Sequence, residues 1–349
     1  MPKSPPFPPL SKSLKSLFHR TGFIVTPHPI IPLSKIPPLL NSLPRIFNGD
    51  FKSGQYPDEW HYRPGLHSDR SITREICNAW KCHSDVASIA LDEKAGQLVR
   101  EFMGFDEGIR IGQDDLLWKA SKNQISKEGG SNNNRPHFTS SPAVGSTVGY
   151  HQDSSYISTN FSPFVNSSVT VWIALEDCDE GNGGVEYAVG SHLWGKGGES
   201  TDEVDAIVDD LGFHNADVSS PLHQAMKAHG VPAQELDIVC PKVPKGHAIF
   251  HHQDVWHGSR PNQSEDRERR SLVVHYLNGR VRYADPPLVQ TKDDDQPAFL
   301  PPPWSGASYI YGRYKSPGDN VLPLSAFPSL VDVTGGLQRC KWLDSYMSS

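Results

Sequence analysis

The sequence predicts a mainly β domain with a helical N-terminal portion, and two observations carry that expectation. From about residue 109, short alternating or apolar runs follow one another with Gly, Asn and Pro between them: "IRIGQDDLLWKAS", "SSVTVWIALEDC", "GVEYAVGSH", "HAIFHHQDVWHGS" and "RRSLVVHYLN". Many short strands without intervening helices indicate a sandwich, jelly roll or barrel. Residues 16 to about 108 read mainly as helix. There "SITREICNAWKCHSD" and "DEKAGQLVREFMGF" carry apolar residues at three- and four-residue spacing, with Ser84 or Asp85 placed to cap a helix start.

The flanks are placed by composition. Residues 1–15 form a basic, Pro/Ser-rich stretch expected to be a disordered tail, and residues 16–349 a single domain. That domain divides into the helical part (16–108), a β core (109–285) and a proline-rich C-terminal segment (286–349) expected to wrap the core in extended form. Residues 126–141 read as a polar loop, and 195–240 as an insertion with some helix that could form a wall or lid. The first 49 residues lack Asp and Glu, as transit peptides do, but proline is too dense there for an amphipathic helix. A cytoplasmic location is therefore expected over organellar import. A net charge of -7 argues against broad nucleic-acid binding and for small-molecule partners. No apolar run approaches the roughly 20 residues needed to span a bilayer. The five scattered cysteines suggest a reducing compartment, and Cys77 and Cys82, with no second Cys/His pair at zinc-finger spacing, read as structural thiols. Nothing in the sequence sets an oligomeric state.

The pattern His-x-Asp occurs at His67/Asp69, His83/Asp85, His151/Asp153 and His252/Asp254, so it decides nothing by itself. The first two pairs sit at turns before helices, where Asp caps. Ligands taken from His252/Asp254 and its neighbours would all come from one short segment and converge poorly. His151 and Asp153 lie in a strand-like stretch, where residues two apart face the same side. An imidazole and a carboxylate make a mixed N/O ligand set suited to iron(II). A third ligand is offered by His257, in "HHQDVWHGSRPNQSEDRERRSLVVHY".

These pieces, in this order, resemble the phytanoyl-CoA dioxygenase-like family of iron(II)/2-oxoglutarate-dependent oxygenases. "LLWKAS" is similar to the strand before the first ligands, and "YHQDSSY" to the His-x-Asp segment. "VTVWIALEDCDEGNGGVEYAVGSH" is similar to the tryptophan strand, glycine turn and Pro-Gly-Ser-His ending, with Val189 in place of the proline. "WHGSRPN" and "RRSLVVHY" match the distal histidine and the arginine strand, and the resemblance spans roughly 16–280. It implies a double-stranded β-helix, of the jelly-roll/cupin-like kind. It also implies that His151, Asp153 and His257 form a facial triad on iron(II), leaving room for 2-oxoglutarate and dioxygen.

By the same resemblance an arginine binds the distal carboxylate of 2-oxoglutarate. Counting back from His275, and alternation along Arg269, Ser271, Val273 and His275, favour Arg269, with Arg270 the alternative. Ser259 matches the serine that helps hold that carboxylate. Trp172 matches a tryptophan lining the pocket, though a plain core aromatic fits equally well. Lys119 either contributes near the co-substrate or is a solvated strand-edge lysine. His251 and His252 read as core or surface histidines that could also support the ligands, and His192 as a turn residue.

The implied reaction couples decarboxylation of 2-oxoglutarate to succinate and carbon dioxide with oxidation of a C–H bond of an unidentified small metabolite, ascorbate being stimulatory. Halogenases of related fold replace the carboxylate ligand by a small residue. Asp153 is intact, so hydroxylation is expected, with desaturation or cyclisation as alternatives. A non-catalytic 2-oxoglutarate sensor is the competing reading. Trp60, Tyr62 or Arg63 in "SGQYPDEWHYRPG" (53–65) could touch substrate, against a surface loop packed on the core.

Overall fold

The computed structural model describes residues 7–62, 70–128, 147–194, 220–284, 307–316 and 318–331. Strands are β1 (Phe23–Val25), β2 (Glu59–Trp60), β3 (Arg74–Cys77), β4 (Ile109–Lys119), β5 (Val148–His151), β6 (Phe161–Ser162) and β7 (Ser168–Ala174). They continue as β8 (Val185–Ala188), β9 (Ile238–Val239), β10 (Ala248–His252), β11 (His257–Ser259), β12 (Arg269–Asn278), β13 (Arg282–Tyr283) and β14 (Ser329–Val331). The helices are α1 (Lys12–Thr21), α2 (Ile36–Phe47), α3 (Ser84–Ala90), α4 (Glu93–Met103), α5 (Lys122–Glu128), α6 (Ser154–Asn160), α7 (Ser220–Ala228) and α8 (Ala307–Gly312).

An eight-stranded sheet runs β1-β10-β7-β12-β4-β3-β2, with β14 also on β4, and a four-stranded sheet runs β5-β11-β8-β9. Every pairing is antiparallel. With helices on one side of the large sheet and the small sheet opposite, this is the expected β-helix architecture. Alternation explains the layering. On β7, Val169, Val171 and Ile173 point outward into a large core with Leu39, Leu43, Leu98, Val99 and Phe102 of the helices. Trp172 and Ala174 point inward and pack with Val185, Tyr187, Ile249 and Val273. A strand buried on both faces has no polar side to show, which is why "SVTVWIA" reads as a nearly continuous apolar run. Among the described residues no helix is long and apolar enough to cross a membrane.

Several expectations shift. The stretch 71–85 is not one helix: β3 pairs with β4 through Arg74↔Trp118 and Cys77↔Asp115, and the helix α3 begins only at Ser84. Its three- and four-residue spacing arises because Ile76, Trp80 and Val86 reach the same core from a strand, a turn and a helix. His83, rather than Ser84 or Asp85, caps α3, its Nδ1 accepting from the Asp85 amide at 3.3 Å. Residues 12–15, expected in the tail, form the first turn of α1, where the Ser11 hydroxyl accepts from the Leu14 amide. The C-terminal segment includes helix α8 and strand β14 as well as extended chain, and α5 extends to Glu128 at the start of the expected loop. Residues 129–146, 195–219, 285–306 and 332–349 lie outside the described residues, as do 1–6 and 63–69, which contain Arg63 and His67/Asp69.

The small sheet depends on Gly258 at the middle of β11, whose strand is flanked by β5 and β8. A Cβ there would meet the Val148 carbonyl oxygen at 2.9 Å and the Tyr150 amide nitrogen at 3.1 Å. Overpacking of this kind typically costs about 1–3 kcal/mol. Gly258→Ala is expected to lower stability by that amount in urea denaturation, with an unchanged fold by circular dichroism.

Candidate active site

Strands β5 and β11 pair His151 directly with His257. Each imidazole is oriented by its Nδ1, which lies 2.9 Å from a backbone carbonyl, Gly149 for His151 and Val255 for His257. An Nδ1–H committed to a carbonyl makes Nε2 the lone-pair nitrogen. Both Nε2 atoms approach Asp153 Oδ1, at 3.7 Å for His151 and 3.6 Å for His257. One ligand atom from each of the three lies within 4.8 Å of the others. Asp153 is not on the strand as alternation predicts. The strand ends at His151, and Asp153 takes helical dihedrals (φ -65, ψ -27) just before α6. The chain turn, not the pleat, brings its carboxylate back to the histidines.

The electrostatics suit a cation. Burial, with His257 beside it, pushes His151 down to about 3, and burial with His251 beside it pushes His257 down to about 4. Both are therefore neutral near neutral pH, each with a lone pair to offer. Burial opposes the charge on Asp153, yet the surrounding imidazoles of His257, His251 and His275 hold its carboxyl well below the usual range. Its oxygens are also fixed by hydrogen bonds: Tyr156 Oη donates to Oδ1, Thr170 Oγ1 donates to Oδ2, and His251 Nε2 lies 3.1 Å from Oδ2. Since the Thr170 hydrogen goes to Asp153, His275 Nδ1 at 2.9 Å must donate to Thr170, while its Nε2 faces Asp115 Oδ2 at 3.0 Å. The Asp115 and Asp153 carboxylates raise His275 despite the opposing effect of burial, consistent with an imidazolium. Two histidines, a carboxylate and a fixed supporting shell fit a divalent iron better than a sulfur-rich structural ion.

Arg269 faces the same interior and is 2 % exposed. Its Nε donates to the Gly183 carbonyl at 3.1 Å, Nη1 to Ser271 Oγ at 3.1 Å and Nη2 to Ser259 Oγ at 3.3 Å. Among the described residues it makes no ion pair with a carboxylate. Arg270 points the other way and is paired with Glu176 at 2.5 Å, which settles the orientation of the two arginines. Gly183 has φ +79, and a Cβ on it would sit 3.2 Å from Lys119 Cδ, so glycine allows the close approach here. Lys119 is not a solvated edge residue. It is fully buried, and its Nζ donates to the carbonyls of Ser259 (3.3 Å) and Arg260 (2.7 Å). Trp172 lies beside Arg269, its ring centroid 5.6 Å from the guanidinium carbon, and its Nε1 has no hydrogen-bond partner among the described residues.

The remaining histidine pair within the core is explained by turns: His252 Nδ1 accepts from the Asp254 amide at 3.1 Å. His192 Nε2 donates to the His19 carbonyl at 3.1 Å, tying the turn after β8 to α1. Trp60 and Tyr62 pack on the core, against Phe51 and Arg74 respectively. Sequence reasoning undervalued Thr170, Tyr156 and Asp115, and treated His275 only as a counting mark. Alternation on β7, β4 and β12 could have found three of them, since Thr170, Asp115 and His275 share the inward face with Trp172 and Arg269.

The model of the phytanoyl-CoA dioxygenase (PhyH) family matches residues 114–271. That span contains His151, Asp153, His257 and Arg269. Fold and family match together define an iron/2-oxoglutarate-dependent oxygenase, an oxidoreductase. Within that class the chain is similar to the PhyH-like group over residues 114–271. Solved structures agree on the fold. The non-heme α-ketoglutarate-dependent carbocyclase SnoK from nogalamycin biosynthesis is 18% identical, with TM-score 0.57 over 91% of this chain and 96% of that one. The epimerase SnoN from the same biosynthesis is 16% identical, with TM-score 0.53 over 91% and 98%. EctD from S. alaskensis with bound Fe is 17% identical, with TM-score 0.55 over 92% and 90%. SnoN is also known in complex with Fe3+ and α-ketoglutarate. No curated protein matches the chain in sequence.

Glu75 on β3 lies on the inward face beside Asp115, and burial together with the Asp115 carboxylate pushes its carboxyl from 4.5 up to about 8. Between those values the unfolded chain releases this proton while the folded one keeps it, so the group lowers stability as pH rises. Glu75→Gln removes the effect. The variant's melting temperature is expected to rise relative to the parent between pH 4.5 and pH 8, and a constant difference across that range would contradict it.

Proposed function

We propose that the chain hydroxylates an unactivated C–H bond of a small-molecule metabolite, with dioxygen as oxidant and 2-oxoglutarate converted to succinate and carbon dioxide. His151, Asp153 and His257 hold iron(II). With 2-oxoglutarate also bound, the metal supplies dioxygen activation. Everything else is the protein's work: neutral imidazoles present lone pairs, and Tyr156, Thr170 and His251 fix the Asp153 carboxylate so that it offers a set direction. The intact carboxylate at Asp153 favours hydroxylation over halide transfer.

The observation that carries this reading is Arg269. A guanidinium has five donors, and three are used on a carbonyl and two hydroxyls, leaving a buried positive charge without a carboxylate among the described residues. Such a charge is costly unless an anion meets it. The distal carboxylate of 2-oxoglutarate supplies that anion, with Ser259 Oγ as an additional donor and Trp172 as an apolar wall. Lys119 holds the end of β11 in place through the Ser259 and Arg260 carbonyls, while burial and the Arg269 guanidinium push its own ammonium well below the usual range.

The test is succinate formation from 2-oxoglutarate with iron(II), ascorbate and air, alongside anaerobic calorimetric titration of 2-oxoglutarate. His151→Ala is expected to abolish succinate and tight iron binding. Arg269→Ala is expected to weaken 2-oxoglutarate by about 30-fold or more, the 2–5 kcal/mol typical of truncating a buried charge pair. Ser259→Ala loses one hydrogen bond, about 1 kcal/mol, and should raise the KM for 2-oxoglutarate about five-fold. Unchanged 2-oxoglutarate affinity in Arg269→Ala would overturn the assignment. Binding without succinate would point to a sensor.

A further inference from the structure

The inward face of the large sheet carries a second polar group that the chemistry above does not use. Glu75 and Cys77 of β3 and Asp115 of β4 each bring one oxygen or sulfur atom within 4.8 Å of the others. Asp115 is already engaged: Gln113 Nε2 donates to Oδ1 at 2.6 Å and His275 Nε2 faces Oδ2 at 3.0 Å, with the Cys77 thiol close by. The side chain of Glu75, partly exposed, has no hydrogen bond or ion pair among the described residues.

A second, independent observation points to a ligand. Gln113 is 5 % exposed and its Oε1 has no hydrogen-bond partner among the described residues. The amide cannot turn over to satisfy that oxygen, because Nε2 is committed to Asp115 and a flip would set oxygen against carboxylate oxygen. A buried carbonyl without a donor costs free energy, so its retention calls for a partner. Gln113 Oε1 is an acceptor, and Glu75 becomes a full one when a ligand's positive charge draws off its proton. The matching ligand must therefore bring donors, and the acidic surroundings ask that it bring positive charge.

A metal ion fits less well. The thiol of Cys77 is held protonated, and both oxygens of Asp115 already accept hydrogen bonds, so an ion would find Glu75 alone without breaking them. A nitrogen cation can pair with Glu75 and leave those bonds in place. The location is also suitable. Asp115 is joined through His275 to Asp153, whose Oδ2 lies 3.6 Å from His275 Nδ1, so one imidazole separates the acidic group from the proposed metal ligands.

Resting on the oxygenase reading above, we propose that Glu75, with Gln113 Oε1 on the far side of Asp115, recognises a protonated amine or guanidinium group of the substrate. The substrate class is then a small cationic metabolite, held by its nitrogen while a nearby carbon is presented to the iron. A bound cation also supplies the counter-charge that keeps Glu75 ionised.

The experiment uses the full chain loaded with iron(II) and 2-oxoglutarate without oxygen. Calorimetry compares agmatine, putrescine and L-lysine with the neutral N-acetylputrescine and the anion hexanoate, and succinate rates under air are read in parallel. At least one cationic probe is expected to bind and to raise succinate formation. Glu75→Gln should weaken that probe ten-fold or more, and Gln113→Leu several-fold, each variant's fold being checked by its melting curve. Binding of no cationic probe, better binding of the neutral or anionic ones, or unchanged affinity in Glu75→Gln would each overturn the proposal while 2-oxoglutarate binding stands. Failure of the parent protein to bind 2-oxoglutarate would instead remove the oxygenase reading, and this inference with it.

Discussion

One buried negative charge organises the interior. Asp153 is 1 % exposed, and an ionised carboxylate in such a place needs donors and positive charge around it. Tyr156, Thr170 and His251 supply the donors, and each comes from a different element: the helix α6, the strand β7 and the strand β10. His275 on β12 reaches it through Thr170 and in turn fixes Asp115 on β4. Neighbouring strands of the large sheet are thus tied together through one acid. The two histidines opposite it come from the small sheet, so the same acid spans the space between the two layers.

The interior is polarised along the β4–β12 ladder. At one end the amine of Lys119 stands opposite the buried guanidinium of Arg269; four residues along β4, Asp115 stands opposite Val273, with Cys77 on its other side. A guanidinium at one end of this inward face and a carboxylate further along it set up a field across the interior. Burial strengthens the effect, because the low local dielectric leaves such fields poorly screened.

Much of this was legible in the chain. The β core could be read because "SVTVWIA" and "RRSLVVHYLN" have strand character whether one or both faces are buried, and because glycine and proline mark the turns between them. His151, Asp153, His257 and Arg269 were found through their order and context, and the structure brings the first three together with Arg269 on the same interior. The helical reading of 71–85 failed for a physical reason. Apolar spacing reports which residues are buried, not which backbone buries them, and a strand, a turn and a helix in succession can imitate one helix. Likewise Asp153 reaches the centre by a strand-to-helix turn that period-two reasoning does not contain. Glu75 and Gln113 gave no local signal, since their meaning depends on β3 lying beside β4, a pairing between segments distant in sequence.

The direct pairing of His151 with His257 has a mechanical consequence. These residues lie about a hundred positions apart in the chain, and bringing such distant segments together carries a loop-closure entropy. An ion gripped by both, and by Asp153, would act as a removable cross-link between β5, β11 and the start of α6. Its release would free the short β11 strand from its neighbour. The small sheet would then be the part of the molecule whose amide hydrogens exchange with solvent first, and metal occupancy would govern the integrity of one wall of the barrel.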